Sequence, residues 1–596
     1  EKQSELGIAE KETHMDSTII KEQKAQKKAY KKARRRATRP WKGLSIISGI
    51  LAVILVVATV LLSMFDNTVA AFVGGTFWEL ENEDKNAIYY EGDFDSPEEM
   101  AEYGTELCKL TEAEGAALLM NENNALPLKT GARVSCFSNS SVNLVYGGTG
   151  SGNIDASKAD NLKTALEKAG LTVNETLWNF YTEGAGSKYA RKKGGMVSLA
   201  SAVVTEVPWK VYTDEVKNSV ASYGDAAIVV ISRVGGEGAD LDFSTTNYLA
   251  LDENEKEMLK NVAAMKTAGT IDRIIVLINS ANALQVDFLK NNDYNVDACL
   301  WIGDVGISGI NAVAEILSGK VIPSGSLVDT YCFDNYSSPA MKNFVPTVYG
   351  GYKKGLIPKH ASTYMIYQEG IYVGYKYYET RYEDYVMGTG NAGDYAYRND
   401  VAFPFGYGLS YADFEYSDMA VNFNAVEDVF EVSVKVTNVG NMYSGKETVQ
   451  IYFRSPYTEY DIEHGVEKAS VALVGFDKTE ILAPGQSQTL TIYVDRRDMA
   501  SFDTYGEGTY ILDEGDYYLT AATDAHDAVN NILAARGYTP ENTDGRMDAE
   551  GKSALVYKWN NPYFDAVTYA VSENGTPVKN RLSDADPNLY AGNDKK

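Results

Sequence analysis

AAIVVISRVGGEGADLDF, residues 226–243, joins two kinds of chain. Ala226–Ser232 is an unbroken apolar run of strand length, as a strand buried on both faces of a sheet requires. After Arg233 the side chains thin out: Gly235, Gly236 and Gly238 surround one carboxylate, Glu237, with Asp240 and Asp242 close behind. Glycine removes bulk and permits positive φ, so such a loop can project Glu237 away from the sheet. Neighbouring like charge and partial desolvation both raise a glutamate pKa, as a general acid working near neutrality needs. Read locally, a solvated acidic turn is the simpler explanation.

Runs of the same kind recur along the chain. Val134–Ser138, Leu171–Asn174, Ile274–Asn279 and Ala298–Ile302 are short and apolar, and amphipathic stretches separate them: NLKTALEKAG (161–170), DENEKEMLKNVAAMKTAG (252–269) and GINAVAEILSGK (309–320). The second has Asp252 at the cap position and Glu255 three residues on, a capping-box pattern. Repeated strand-helix units predict a largely parallel sheet with helices on both faces. In open α/β sheets ligands bind beyond the carboxyl ends of the strands, which makes the glycine-rich loops there candidate site loops. One is GGTGSGN, Gly147–Asn153. It fails as a phosphate loop, because Asn153 stands where the third glycine of Gly-x-Gly-x-x-Gly belongs and no Gly-Lys-Ser/Thr follows. Its backbone around Gly150 and Ser151 either approaches a ligand closely or forms a tight turn.

The rhythm changes after Tyr411. FEVSVKVTNVG, ETVQIYF, QTLTIYV and GDYYLTAA alternate apolar and polar residues with period two, and turn signals such as Ala483-Pro484-Gly485 separate them. This predicts an antiparallel β-sandwich of fibronectin type III-like kind, since no cysteine pair bridges it. Residues 529–596 lack clear periodicity and read as a connector.

A chain of 596 residues exceeds one compact core. Its net charge of −27 is uneven: residues 1–42 carry 13 Lys and Arg against 6 Asp and Glu, leaving an acidic body of net −34 that repels phosphate backbones and argues against nucleic acid as a partner. Cys108, Cys136, Cys299 and Cys332 include no Cys-x-x-Cys pair, and with only four histidines they suggest neither a zinc site nor a disulfide scaffold. Cys136 and Cys299 lie in strand-like runs and read as buried thiols. His360, His464 and His526 sit in polar stretches without an evident partner.

Leu44–Phe65 runs 22 residues without a charge, about enough to cross a ~30 Å hydrocarbon core as a helix. The basic block before it, KKAYKKARRRATRPWK, belongs on the cytoplasmic side. A cleaved signal peptide is the rival, with a usual apolar region of only about 7–15 residues. The expected organisation is a basic cytoplasmic tail (1–42), a transmembrane signal-anchor helix (43–66), a lead-in (67–113), an α/β-sandwich domain (114–411), a fibronectin type III-like domain (412–528) and a connector (529–596). The protein is then a single-pass protein of the cell membrane, its N-terminus cytoplasmic and its body extracellular.

Seven motifs occur in order across residues 114–487: EGAALLMNENNALPL, GGTGSG, ISRVGGEGADL, IPSGSLVDTY, YQEGIYVGYKYYETR, FPFGYGLSY and ALVGFDKTEILAPGQS. Together they resemble the α/β-sandwich and fibronectin-like domains of glycoside hydrolase family 3. The resemblance implies a retaining glycosidase in which a (β/α)₈ barrel holds an Asp nucleophile in a Ser-Asp-Trp motif. The general acid/base Glu comes from a Ser-Gly-Glu-Gly loop of the α/β domain. Gly235-Gly236-Glu237-Gly238 matches that loop with Gly235 in place of serine, so the resemblance makes Glu237 the acid/base candidate. It places Arg233, Asp240, Gly150 and Ser151 at the substrate. Neither a metal nor an organic cofactor is implied.

No Ser-Asp-Trp occurs in the 596 residues. A permuted subgroup of β-glucosidases carries its barrel after the fibronectin-like domain, and NGTPVKNRLSDADPNLYAGNDKK (574–596) resembles the connector into it. The expectation is an anchored, acid/base-bearing part of a β-glycosidase, acting on an oligosaccharide or β-glycoside with a barrel from a continuing or a separate chain. The alternative is a non-catalytic carbohydrate-binding or scaffold protein derived from such an enzyme.

Overall fold

In the computed structural model of the chain, residues 2–64, 92–148, 152, 154–191, 205–235, 248–344, 347–348, 363–364 and 367–580 are described. The chain divides into two units, Glu1–Asp95 and Ser96–Lys596. In the first, α1 (Lys2–Met64) is a continuous helix with Pro40 inside it. Between Asp16 and Ser63 it contains a stretch long and apolar enough to cross a membrane. A membrane span and a signal sequence both fit that description. Leu44, Ile47, Leu51 and Leu55 are exposed on it, as on a helix whose apolar side chains call for a non-aqueous surrounding.

The second unit begins with α2 (Pro97–Gly115), where Ser96 caps the backbone N–H of Glu99 at 3.1 Å and Pro97 fills a first-turn position that needs no N–H donor. A six-stranded sheet follows. Its strands are β1 (Ala117–Asn121), β2 (Arg133–Phe137), β3 (Thr172–Val173), β4 (Ala226–Ser232), β5 (Ile274–Asn279) and β6 (Ala298–Trp301), in the order β1-β6-β5-β4-β2-β3. β2 to β6 run parallel, as the strand-helix repeats predict. β1 is the departure, lying antiparallel on β6. Among the described residues no crossover helix leads from another strand of this sheet into β1, so EGAALLMN carried no repeat signal. Leu409 covers the free edge by donating its N–H to Leu118 O at 2.8 Å.

Inside the continuous apolar run of β4 the pleat still sorts side chains. Ala227, Val229 and Ile231 enter one core with Leu177 and Phe180 of α4 (Glu175–Thr182) and Met258, Leu259 and Val262 of α5 (Glu253–Thr267), while Ala226, Ile228 and Val230 enter another. The second core receives Leu162 and Leu166 of α3 (Leu162–Ala169) and Ile310, Val313 and Leu317 of α6 (Gly309–Leu317). Each fully buried Val or Ile contributes ~1.5–3 kcal/mol, so slipping β4 by one residue would exchange its side chains between two filled cores. Caps fix the helix starts. Asn161 accepts from Thr164 N at 2.9 Å, and the Asp252/Glu255 capping box forms as its spacing predicts. All four cysteines are free, and burial pushes the Cys136 thiol up to about 12.

The β-sandwich packs β7 (Phe414–Asn424), β8 (Val429–Asn438) and β11 (Ser487–Asp495) against a four-stranded sheet. That sheet holds β9 (Thr448–Arg454), β10 (Ala472–Lys478), β12 (Gly515–Ala522) and β13 (Val556–Asn561). All pairings in both sheets are antiparallel. The period-two residues Val432, Val434, Val436, Ile451, Leu490, Ile492 and Leu519 form its core.

Here the structure departs from the expected connector. α8 (Ala525–Ala535) follows β12, and β13 pairs with β12 from Gly515↔Asn561 to Thr520↔Val556. The folded body therefore reaches past residue 560. VYKWNN mixes Lys and Asn into an edge strand, and so lacks a run of buried apolar positions. Residues 581–596 lie outside the described residues.

FPFGYG joins the two domains. Gly406 N donates to Leu327 O at 2.8 Å, Gln450 Nε2 donates to Gly406 O at 2.9 Å, and Ala525 N donates to Phe405 O at 3.0 Å. A Cβ at Gly408 would stand 2.1 Å from Gly325 O, so only glycine fits this crossing. Beside it, α7 (Tyr375–Met387) meets α8 over a buried charge cluster. His526 Nδ1 lies 2.8 Å from Glu379 Oε2 and Nε2 lies 3.0 Å from Asp548 Oδ1, while Tyr397 stacks on the ring at 3.9 Å. Burial disfavours the charged imidazole, but the two carboxylates outweigh it and push its pKa up to about 10; Asp548, despite its own burial, falls to about 2.

His526→Ala leaves two carboxylates unpaired and should cost about 3–5 kcal/mol of unfolding free energy. The sign of the pH dependence follows from the raised His pKa. The stabilisation is complete below the unfolded value near 6.5 and is lost as pH rises through about 10. Denaturant titrations of parent and variant should therefore differ most between about pH 4 and 6.5 and converge toward pH 10.

Candidate active site

From β2 the chain steps to β3 on one side, then returns to β4 and continues to β5 and β6 on the other. The strand order reverses between β2 and β4, and a crevice at their carboxyl ends is where this sheet type binds ligands. The loop leaving β2 is unusually polar for its burial. Ser138, Asn139, Ser140 and Ser141 are all buried, and Ser138 has φ +80, a conformation costing a non-glycine residue about 1–3 kcal/mol. Hydrogen bonds hold it there: Ser138 N donates to Tyr181 Oη at 2.8 Å, Ser140 N to Ser138 Oγ at 3.0 Å, and Ser141 Oγ to Ser138 O at 2.7 Å. Asn139 N donates to Glu206 Oε2 at 2.9 Å and Val207 N to Glu206 Oε1 at 2.7 Å. Burial pushes Glu206 up to about 8 against the opposing pull of these donors.

Asn279, at the end of β5, ties three loop bases to this point. Its Oδ1 accepts from Val145 N at 2.6 Å and from Ser232 Oγ at 3.1 Å; its Nδ2 donates to Val145 O at 2.9 Å and Gly303 O at 2.7 Å. The side chain is wholly buried and uses both donors and both acceptor sites. One amide thus fixes the ends of β4 and β6 and the loop after β2.

Around the crevice stand two partly buried charges. Arg191 donates from Nη2 to Leu144 O at 2.9 Å, and burial lowers its pKa against the pull of Tyr248, Asp304 and Tyr146. Asp304, beyond β6, is raised by burial against the pull of Arg191. Arg191 Nη1 and Asp304 Oδ1 are buried atoms with no hydrogen-bond partner among the described residues. They are a donor and an acceptor left unpaired among the described residues, at the edge where this sheet type binds ligands.

Of the residues expected here, Glu237, Asp240, Gly150 and Ser151 lie outside the described residues. Arg233 is described and lies 3% exposed at the carboxyl end of β4, where all five of its N–H groups are taken by Glu255 and by the carbonyls of Ser232, Tyr248 and Ala250. It has no donor left for a sugar, so the direct substrate contact expected of it is corrected to a buried ion pair with Glu255. Gly235 is described as well, and a Cβ there would stand 2.9 Å from Asn282 Oδ1. A serine at 235 would have to displace that amide.

Residues 116–375 match the glycosyl hydrolase family 3 C-terminal domain, and residues 447–525 match a fibronectin type III-like domain. The chain belongs to glycoside hydrolase family 3. A β-glucosidase of Ruminococcus albus is 31% identical over 70% of this chain and 39% of its own length. Among solved structures, a β-glucosidase from Paenibacillus barengoltzii is 30% identical with a TM-score of 0.57, covering 70% of this chain and 41% of that one. β-Glucosidase 3B from Thermotoga neapolitana, solved with α-D-glucose, is 25% identical with a TM-score of 0.60, covering 78% and 55%. The family 3 chain described here thus spans about two fifths to just over half of these relatives.

Sequence reasoning passed over Asn279, Glu206, Asp304 and Arg191. Asn279 left one trace: it is the polar residue closing the apolar run IIVLIN at the edge where a site belongs. Asn279→Ala strands several buried backbone groups at once and should cost about 2–4 kcal/mol in a urea melt, with the excess amide exchange concentrated around Val145 and Gly303.

Proposed function

We propose that the chain is the membrane-anchored part of a retaining family 3 β-glycosidase, a β-glucosidase, that hydrolyses terminal O-glycosidic bonds and supplies the general acid/base, Glu237. The observation that carries this is positional. β4, the strand that precedes Gly235-Gly236-Glu237-Gly238 in the sequence, ends at the point where the strand order reverses, and the loop after the neighbouring β2 is held by its bonding in a strained conformation. The relatives named β-glucosidase support the substrate class. Asp240, Gly150 and Ser151, on the same two loops, contact the sugar in this reading, together with the Arg191 donor and the Asp304 acceptor that are unpaired among the described residues. α1 anchors the chain in the cell membrane with the basic segment in the cytoplasm.

In a retaining glycosidase two carboxyl groups flank the scissile bond about 5–5.5 Å apart. A nucleophile attacks the anomeric carbon while the acid protonates the leaving oxygen, and the resulting carboxylate then takes a proton from the water that releases the sugar. Glu237 performs the proton transfers. The nucleophile comes from a (β/α)₈ barrel in a continuing or separate chain.

The test joins or mixes this chain with its barrel. Glu237→Gln should slow hydrolysis of glycosides with poor leaving groups by about 10²–10⁴-fold, while aryl glycosides with activated leaving groups lose less and recover with added azide. Parental rates on a cellobiose-like substrate would overturn the assignment.

A further inference from the structure

The segment that carries Glu237 leaves the sheet after Ser232, and the chain is described again from Tyr248. Both limbs meet on one side chain. Arg233 Nε donates to Tyr248 O at 2.6 Å, and Nη2 donates to Ala250 O at 2.6 Å and Glu255 Oε2 at 2.7 Å. Nη1 donates to Ser232 O at 2.7 Å and Glu255 Oε1 at 2.8 Å. The carbonyl of Ser232 belongs to the outgoing limb and those of Tyr248 and Ala250 to the returning one. Val234 N donates to the Tyr248 hydroxyl at 3.3 Å, a further tie between the limbs.

Glu255 is itself immobilised. Its Oε2 accepts from Asp252 N at 2.8 Å, and its own N–H donates to Asp252 Oδ1 at 2.7 Å, so the carboxylate is part of the first turn of α5. The side chains of the pair are 4% and 2% exposed. We infer that Arg233 and Glu255 form a clasp that ties the limb at Ser232–Val234 to the limb at Tyr248–Ala250 and to the start of α5, and that it is through these two limbs that Glu237 is positioned. Both are positioning residues, and this reading rests on Glu237 as the acid/base.

The chemistry argues for more than core support. Removing two charges from water costs so much that a buried ion pair adds little net stability, and apolar side chains of similar volume often do as well. What apolar side chains cannot do is donate to three carbonyls on two limbs. A planar five-donor fork meets that geometry and a lysine ammonium does not.

Hydrogen exchange on the full chain separates the two roles. In Arg233→Met combined with Glu255→Met, the melting temperature should stay within a few degrees of the parent, while exchange in peptides over residues 233–250 accelerates by about tenfold or more and peptides from β5 and the sandwich are unchanged. Parental exchange over 233–250, or acceleration spread evenly over the chain, overturns the clasp. Arg233→Lys reads the same comparison should the double variant fail to fold, with the same local acceleration expected and parental exchange the contradiction.

In the enzyme completed by its barrel, Arg233→Lys should lower kcat for poor leaving groups and spare activated aryl glycosides at unchanged KM. Equal losses on both substrates would overturn positioning of the acid. Glu237→Gln should leave exchange over 233–250 at the parental rate, so failure of the acid/base reading would appear in the rates while the exchange result stood.

Discussion

The buried amide of Asn279 bears on everything at the carboxyl edge of the sheet. Parallel strands end together, and the loops that leave them have no ladder partners there. Four hydrogen bonds from one side chain to Val145, Ser232 and Gly303 replace the missing ladder in a dry environment, where each left unmade would be costly. The strain at Ser138 persists because this hub and the Glu206 cluster over-determine its surroundings.

Charge is buried in the same manner where the two domains meet. His526, Glu379 and Asp548 satisfy one another between α7 and α8, and FPFGYG binds the α/β domain to the sandwich through backbone contacts too close for side chains. Arg233 with Glu255 repeats the pattern at the crevice. In each place ionised groups that satisfy one another fix the relation between segments; removing one member is costly, whereas replacing the whole group with apolar side chains costs little.

Much of this was legible in the sequence. The apolar runs at 226–232 and 274–279 are strands with those bounds, and the Asp252/Glu255 spacing is a capping box, because burial on both faces and helix starts leave local marks. β1 and β13 were not legible. Each is an edge strand whose place is set by a partner distant in sequence, Trp301 for Ala117 and Gly515 for Asn561. Of the candidate site, the glycine loop and its position after β4 could be read from the chain. The second role of Glu255 could not, because the capping box already accounted for it. His526 had no visible partner for the same reason: Glu379 lies 147 residues away.

In the proposed function Glu237 works from the β2/β4 crevice against a nucleophile on another domain. The most direct measurement is the separation of the two carboxyl groups in a crystal structure of this chain together with its barrel and a bound fluorosugar. The account predicts Glu237 about 5–5.5 Å from the nucleophile, on the leaving-group side of the sugar. A structure with another carboxyl group in that position and Glu237 turned to solvent would contradict it.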